Sequence, residues 1–124
     1  MQYLFLLYVN EAGWTTMTPD QRKAGEAAYR AYTEALQAAG ALVGVNRLHP
    51  SPAATRVTNT GGKNQVLDGP YADSKEQIGG YFLVDVPDLD AALSWAARCP
   101  TANHGTVEVR PVWPMSEYRE QAAE

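Results

Sequence analysis

Cysteine occurs once in this chain, at Cys99, and histidine twice, at His49 and His104. A single thiol excludes an intrachain disulfide and accords with a reducing compartment. Two isolated loop histidines, with no clustered carboxylates at ligand spacing, offer nothing to build a metal site from. No metal and no other cofactor is expected. Charged residues are also sparse, at 19% of the chain, and sum to a formal net charge of -4. No Lys/Arg-rich run interrupts that acidic balance, so direct nucleic-acid binding is not expected. No apolar run approaches the roughly 20 residues that cross a bilayer. The opening MQYLFLLYVN has neither a positively charged start nor a small-residue cleavage site, which points to the cytoplasm and away from the membrane. Zinc spacing, a Walker loop and G-x-G-x-x-G are all missing.

What is present is a globular balance, 45% apolar over 124 residues, the size of a single domain with one modest core. Tyr3 to Val9 is a continuous apolar and aromatic run, the pattern of a strand buried on both faces. Asn10 to Met17 reads as a loop. Thr18, Pro19 and Gln21 then form a capping box with Pro at the first helical position. The helix that follows places Ala24, Ala28, Ala31 and Ala35 at helical spacing beside Tyr32 and Leu36, and stops at Gly40. Ala41 to His49 is a second strand. Thr55 to Thr58 and Asn64 to Leu67 flank Gly61-Gly62, a hairpin signal. Asp68-Gly69-Pro70-Tyr71 is a turn by composition. Gly79-Gly80 leads into a second apolar strand, Tyr81 to Val86. Asp88 caps another helix, with Leu89, Ala92, Leu93 and Ala96 as its expected buried stripe, and Pro100 ends it. Thr106 to Val112 alternates apolar and polar, and a short final helix follows Pro114.

Strand, helix, strand with hairpin, strand, helix, strand is the split βαβ order of ferredoxin-like α+β folds. The sheet should be antiparallel, with two helices on one face and an extra β-hairpin. Its two central strands are the two continuous apolar runs. Two helices cover one face only, so the other face needs a second copy of the chain, and a homodimer is expected.

The segment VLDGPYADSKEQIGGYFLVDVPDLDAALSWAARCP, Val66 to Pro100, resembles the core of the YCII-related family in its DGPF-containing branch. GTVEVRPV, Gly105 to Val112, is similar to the family's last strand, and YLFLLYVNEAGW and QAAGALVG fit as well. Tyr71 stands where the motif usually has Phe. The resemblance implies one domain over residues 1–124 and a dimeric ferredoxin-like fold of the dimeric α/β-barrel type. It implies no settled activity. Some relatives, a dehydrochlorinase among them, carry a His and an Asp proposed as a catalytic dyad. That His would fall in the first long helix, which here contains none, so the dyad does not carry over. Branch members are often encoded beside, or fused to, ECF-type sigma factors, which implies a possible sigma-factor association.

Four residues stand out as candidates for a small-molecule site. Asp68 either opens the turn or acts as a base or polar anchor. Glu76 either forms a solvated pair with Lys75 or points inward beside Gly79-Gly80, where absent side chains leave room. Tyr81, like Tyr3 and Tyr8, lies on a central strand, where core packing with a tethered hydroxyl is the default. Arg110 shares one side of the last strand with Glu108; the two either face solvent or line a dimer cleft, where Arg would hold a carboxylate or phenolate. Trp14, near Glu11 after a strand end, is a candidate lid. Cys99 reads as a buried thiol. The two functional expectations are lyase-like proton transfer on a small-molecule ligand, and a non-catalytic accessory or ligand-sensing module.

Overall fold

The computed structural model describes residues 1–123. The capping box forms as the sequence predicts: Thr18 Oγ1 accepts from Gln21 N, and Gln21 Oε1 accepts from Thr18 N. It starts the long helix Pro19–Ala38, labelled α2 because a short helix α1, Ala12–Thr16, precedes it. The expected Asn10–Met17 loop is thus partly helical. Asn10 Oδ1 accepts from Ala12 N, and the Thr15 and Thr16 hydroxyls close back onto Ala12 and Gly13 carbonyls. Asp88 caps the helix α3, Leu89–Arg98, by accepting from Ala91 N.

Four strands build the main sheet: β1 (Gln2–Asn10), β2 (Leu42–Arg47), β5 (Glu76–Asp85) and β6 (Thr106–Pro111). Their order is β2-β5-β1-β6, and each neighbouring pair is antiparallel. This is the ferredoxin-like order, with the two apolar runs at the centre. The remaining strands, β3 (Thr55–Thr60) and β4 (Lys63–Asp68), pair only with each other. Gly61 and Gly62 both take positive φ at their turn, at 59° and 79°. Two consecutive positive φ values match the right-handed twist of a hairpin, and glycine adopts them without Cβ strain.

The helix side of the sheet holds the core. Tyr3, Phe5 and Leu7 of β1 and Phe82 and Val84 of β5 are buried there beneath Tyr32 and Leu36 of α2 and Ala92 and Ala96 of α3. Tyr32 meets Phe82 edge-to-face at 5.1 Å. Each fully buried large side chain contributes about 1.5–3 kcal/mol. Cys99 closes the core, completely buried; burial pushes its thiol up from the ordinary 9.0.

Two helical stripes differ from the sequence expectation. The face that α2 lays on the sheet runs through Tyr32 and Leu36, while Ala24, Ala28 and Ala31 are exposed. On α3, Ala92 and Ala96 are buried but Leu89 and Leu93 are each 48% exposed. On α2 the large side chains take the packed line, Tyr32 against Phe82, and on α3 the small ones do; the wider set of apolar positions is indifferent to rotation by a single residue.

Two irregularities decide which side chains share a face. In the β1–β5 ladder Leu7 pairs with Gly80, but Tyr8 pairs with Ile78, so Gly79 is an extra residue. Leu48 N donates to the Gly79 carbonyl that this bulge frees, at 2.9 Å. In the β2–β5 ladder Leu42 pairs with Val84 and Gly44 with Leu83, which leaves Val43 unpaired. A bulge changes the face on which all later residues stand. The first puts Ile78 and Glu76 on the side of Tyr8; the second puts Asn46 beside Tyr81.

Candidate functional site

On the face of the sheet away from α2 and α3, none of the described strand residues is fully buried. Leu4 and Leu6 of β1 and Leu83 of β5 form its apolar centre, each only partly buried. Polar groups surround them. From the ladders, Tyr81 and Glu108 both stand opposite Leu6, and Arg110 stands opposite Leu4. Tyr8 completes the group at the bulged end.

These side chains are joined. Tyr8 donates its phenolic hydrogen to Glu108 Oε2 at 3.3 Å, and Arg110 Nη1 lies 4.0 Å from the same oxygen. Removal from water first, and then the Glu108 carboxylate, hold the Tyr8 phenol above its ordinary 10.0, while Arg110 pulls it down. Tyr8 therefore stays a hydrogen-bond donor through the neutral range. On the other side of the apolar centre, Asn46 Nδ2 donates to the Tyr81 hydroxyl at 2.6 Å. The arrangement offers a carboxylate, a guanidinium and two phenols around a small apolar patch. A carboxylate in that setting can take a proton, and the guanidinium can hold the charge that develops.

Of the four residues singled out from sequence, three share this face: Tyr81, Arg110 and, through the bulge at Gly79, Glu76 at the first position of β5. Glu76 is exposed and forms no ion pair with Lys75 among the described residues. The fourth, Asp68, ends β4 on the separate hairpin opposite Thr55, with an exposed side chain. The chain bends after it: Gly69 has φ 97°, and its N–H donates to the Ala54 carbonyl at 2.7 Å, which prolongs the hairpin pairing by one bond. Gly79-Gly80 make no room for a ligand. A Cβ at Gly80 would lie 2.7 Å from the Asn46 carbonyl oxygen, so this glycine admits the neighbouring strand.

Sequence reasoning gave Tyr3, Tyr8 and Tyr81 to core packing by default, but only Tyr3 is in the core. Glu108, noted as the companion of Arg110, and Asn46, passed over, belong to the face as well. Alternation along VEVR pairs Glu108 with Arg110. That Tyr8 meets Glu108 is a matter of strand register over 100 positions, which no local pattern carries.

Two open hollows lie elsewhere. One groove of about 350 Å³ runs beside α2 and α3 and is lined by Ala28, Ala31, Tyr32, Arg98 and Asn103. Another, of about 270 Å³, is mostly apolar and lies along α3 and β6. Both are open, and neither gathers an acid and a base, so the chemistry of the open face outweighs their volume. Among the described residues, no group of three His, Cys, Asp or Glu side chains comes together, and no helix is long and apolar enough to cross a membrane.

Comparison with known proteins accords with this architecture. The chain is 38% identical over 119 residues to an uncharacterized protein of Rhizobium meliloti (strain 1021), a match covering 90% of this chain and 92% of the relative. The family model described as "YCII-related domain" matches residues 1–116, from the first central strand into the helix after the last one, and the chain belongs to the YCII-related domain family.

Proposed function

We propose that two copies of this chain, of the DGPF-containing branch, pair through their open sheet faces in the cytoplasm and enclose a small-molecule pocket at the cleft. A lyase-like proton transfer takes place in it. The observation that carries the reading is the Tyr8–Glu108–Arg110 constellation beside the partly buried leucines of the face. Glu108 takes the proton, Arg110 holds a carboxylate or phenolate on the ligand, and Tyr8 and Tyr81 orient it. Glu76 borders the same face. Asp68 serves as a base or anchor where the assembled dimer brings the hairpin to the cleft, and as a turn former otherwise. A half-exposed Leu4, Leu6 and Leu83 cluster gains most from a self-complementary partner, since one patch then covers two.

The test is assembly. Light scattering at micromolar concentration is expected to give about twice the 13.5 kDa chain mass. Leu6→Glu, which sets a carboxylate at the centre of the face, is expected to reduce the mass to that of one chain. A wild-type monomer with a cooperative melt overturns the proposal.

The second reading is a non-catalytic accessory or ligand-sensing module acting on a partner such as an ECF-type sigma factor. It draws on the openness of both hollows in the single chain. An open face filled by a partner with no cavity left between them favours it.

A further inference from the structure

A second group of residues lies on the helix side of the sheet, away from the open face. Trp14 of α1 carries a guanidinium against its ring from each of two elements: Arg22 of α2, 4.9 Å from the ring centre, and Arg47 of β2, 4.6 Å from it. Neither forms an ion pair with a carboxylate among the described residues. Glu11, three residues before Trp14, is already engaged, its two oxygens each accepting at 2.6 Å from Ser51, one from the backbone N–H and one from the hydroxyl. Two cations are thus drawn to one indole, and neither is within ion-pair distance of a carboxylate among the described residues. Stacking leaves the edges of a guanidinium free to donate, in the fork that matches a carboxylate or phosphate.

Two further observations point to something bound between them. Arg22 Nη2 donates to the Trp14 carbonyl at 3.0 Å, which fixes that guanidinium, while its Nε is covered and has no acceptor. A buried donor without an acceptor is costly, and the Nη1 edge of the same guanidinium has no acceptor among the described residues. One turn along α2 stands Gly25, inside a helix that glycine disfavours. A methyl group there would meet nothing within 4 Å, so no packing demand explains the glycine. Arg22, Gly25 and Tyr29 follow each other at spacings of three and four and share one helix face. At the far end the Tyr29 hydroxyl lies 2.6 Å from the buried Thr101 Oγ1 and 3.5 Å from His104 Nε2, and the Arg47 charge reaches the phenol.

We propose that this group of side chains binds a small organic oxyanion, with its carboxylate or phosphate between Arg22 and Arg47 and its body in the open space over Gly25 toward Tyr29 and His104. The site is independent of the open-face reading and does not require a dimer.

The full chain labelled with nitrogen-15 has three indole N–H signals, from Trp14, Trp95 and Trp113; Trp14→Phe assigns the first. Benzoate and inorganic phosphate are titrated separately at ionic strength held constant with chloride. The Trp14 signal is expected to shift saturably with at least one of them. Saturation by benzoate alone identifies a carboxylate ligand, and by phosphate alone a phosphate. Arg22→Gln and Arg47→Gln are each expected to weaken that binding tenfold or more, and Lys23→Gln, an exposed cation on the same helix, to leave it unchanged. Gly25→Ala is expected to weaken benzoate several-fold and spare phosphate; equal benzoate binding overturns the placement of the ligand body. A Trp14 signal that fails to saturate with either anion overturns the site, as does equal loss of binding on removing Lys23 or either arginine.

Discussion

The two faces of the main sheet are built from the same strands, with neighbouring residues alternating between them, yet they have met different fates. Phe82 is buried under Tyr32, while Leu83, the next residue, is only half-covered on the other side. The helix face found its partner within the chain because α2 and α3 both cross back over it. The open face has no such crossing element among the described residues: the stretch between β2 and β5 pairs with itself as a hairpin. Burial in this protein is therefore decided by connectivity. Apolar residues on the two faces differ little in type, and the polar groups that escaped burial are the ones left free for chemistry.

The largest effect that would sharpen this contrast comes from adjacent substitutions. Phe82→Ala removes a fully packed ring and is expected to cost about 3–5 kcal/mol in denaturant unfolding, whereas Leu83→Ala should cost the single subunit less than about 1 kcal/mol. Comparable losses for both in a chain held as a monomer would mean that the open face is already packed.

Alkaline stability probes the helix face first, through Cys99, with Tyr8 of the open face adding to the loss at higher pH. Burial raises Cys99 from 9.0 and Tyr32 from 10.0, so the folded state holds both protons more tightly than the unfolded one. Their contribution is fully present below pH 9 and is lost as pH rises above it. Thermal melts should fall steadily above pH 9, and Cys99→Ala should flatten the earliest part of that fall. A melting temperature constant to pH 11 would contradict the burial of both groups.

On the open face the matching experiment is a titration. Glu108→Gln removes the carboxylate that helps to keep the Tyr8 proton in place, so the Tyr8 phenol should ionise at lower pH than in the wild type, as followed by its ring signals. An unchanged midpoint would separate Tyr8 from Glu108 in solution. The smallest effect belongs to the hairpin: Asp68→Asn is expected to change stability by less than ~1 kcal/mol, since Asn opens the same turn and the exposed carboxylate loses no buried contact. A larger loss would make the charge structural and remove Asp68 from any site.

Much of this was legible from residue order. The Thr18–Gln21 box, the Asp88 cap, the Gly61-Gly62 hairpin and the alternation from Val107 to Arg110 all depend on neighbours within four positions, and each formed as read. The helix rotations were less legible: alanine and leucine are compatible with several faces, and packing against Phe82 chose among them. β5 starts at Glu76, five residues before the apolar run, because pairing with Asn10 and Val9 extends a strand past its hydrophobic stretch.

By itself, then, the sequence determined the elements, their order and the ferredoxin-like α+β class, because caps, turns and hydrophobic periods are local and the crossover rules leave few topologies for that order. Only the tertiary structure decided which side chains meet. The bulges at Gly79 and Val43 moved Glu76 and Asn46 to the open face, the β1–β6 register joined Tyr8 to Glu108, and the approach of α1, α2 and β2 set two arginines against Trp14. Each of these depends on a one-residue offset between distant segments. The energy that sets such an offset is shared among the whole ladder and the packed core, and no single stretch of sequence carries it.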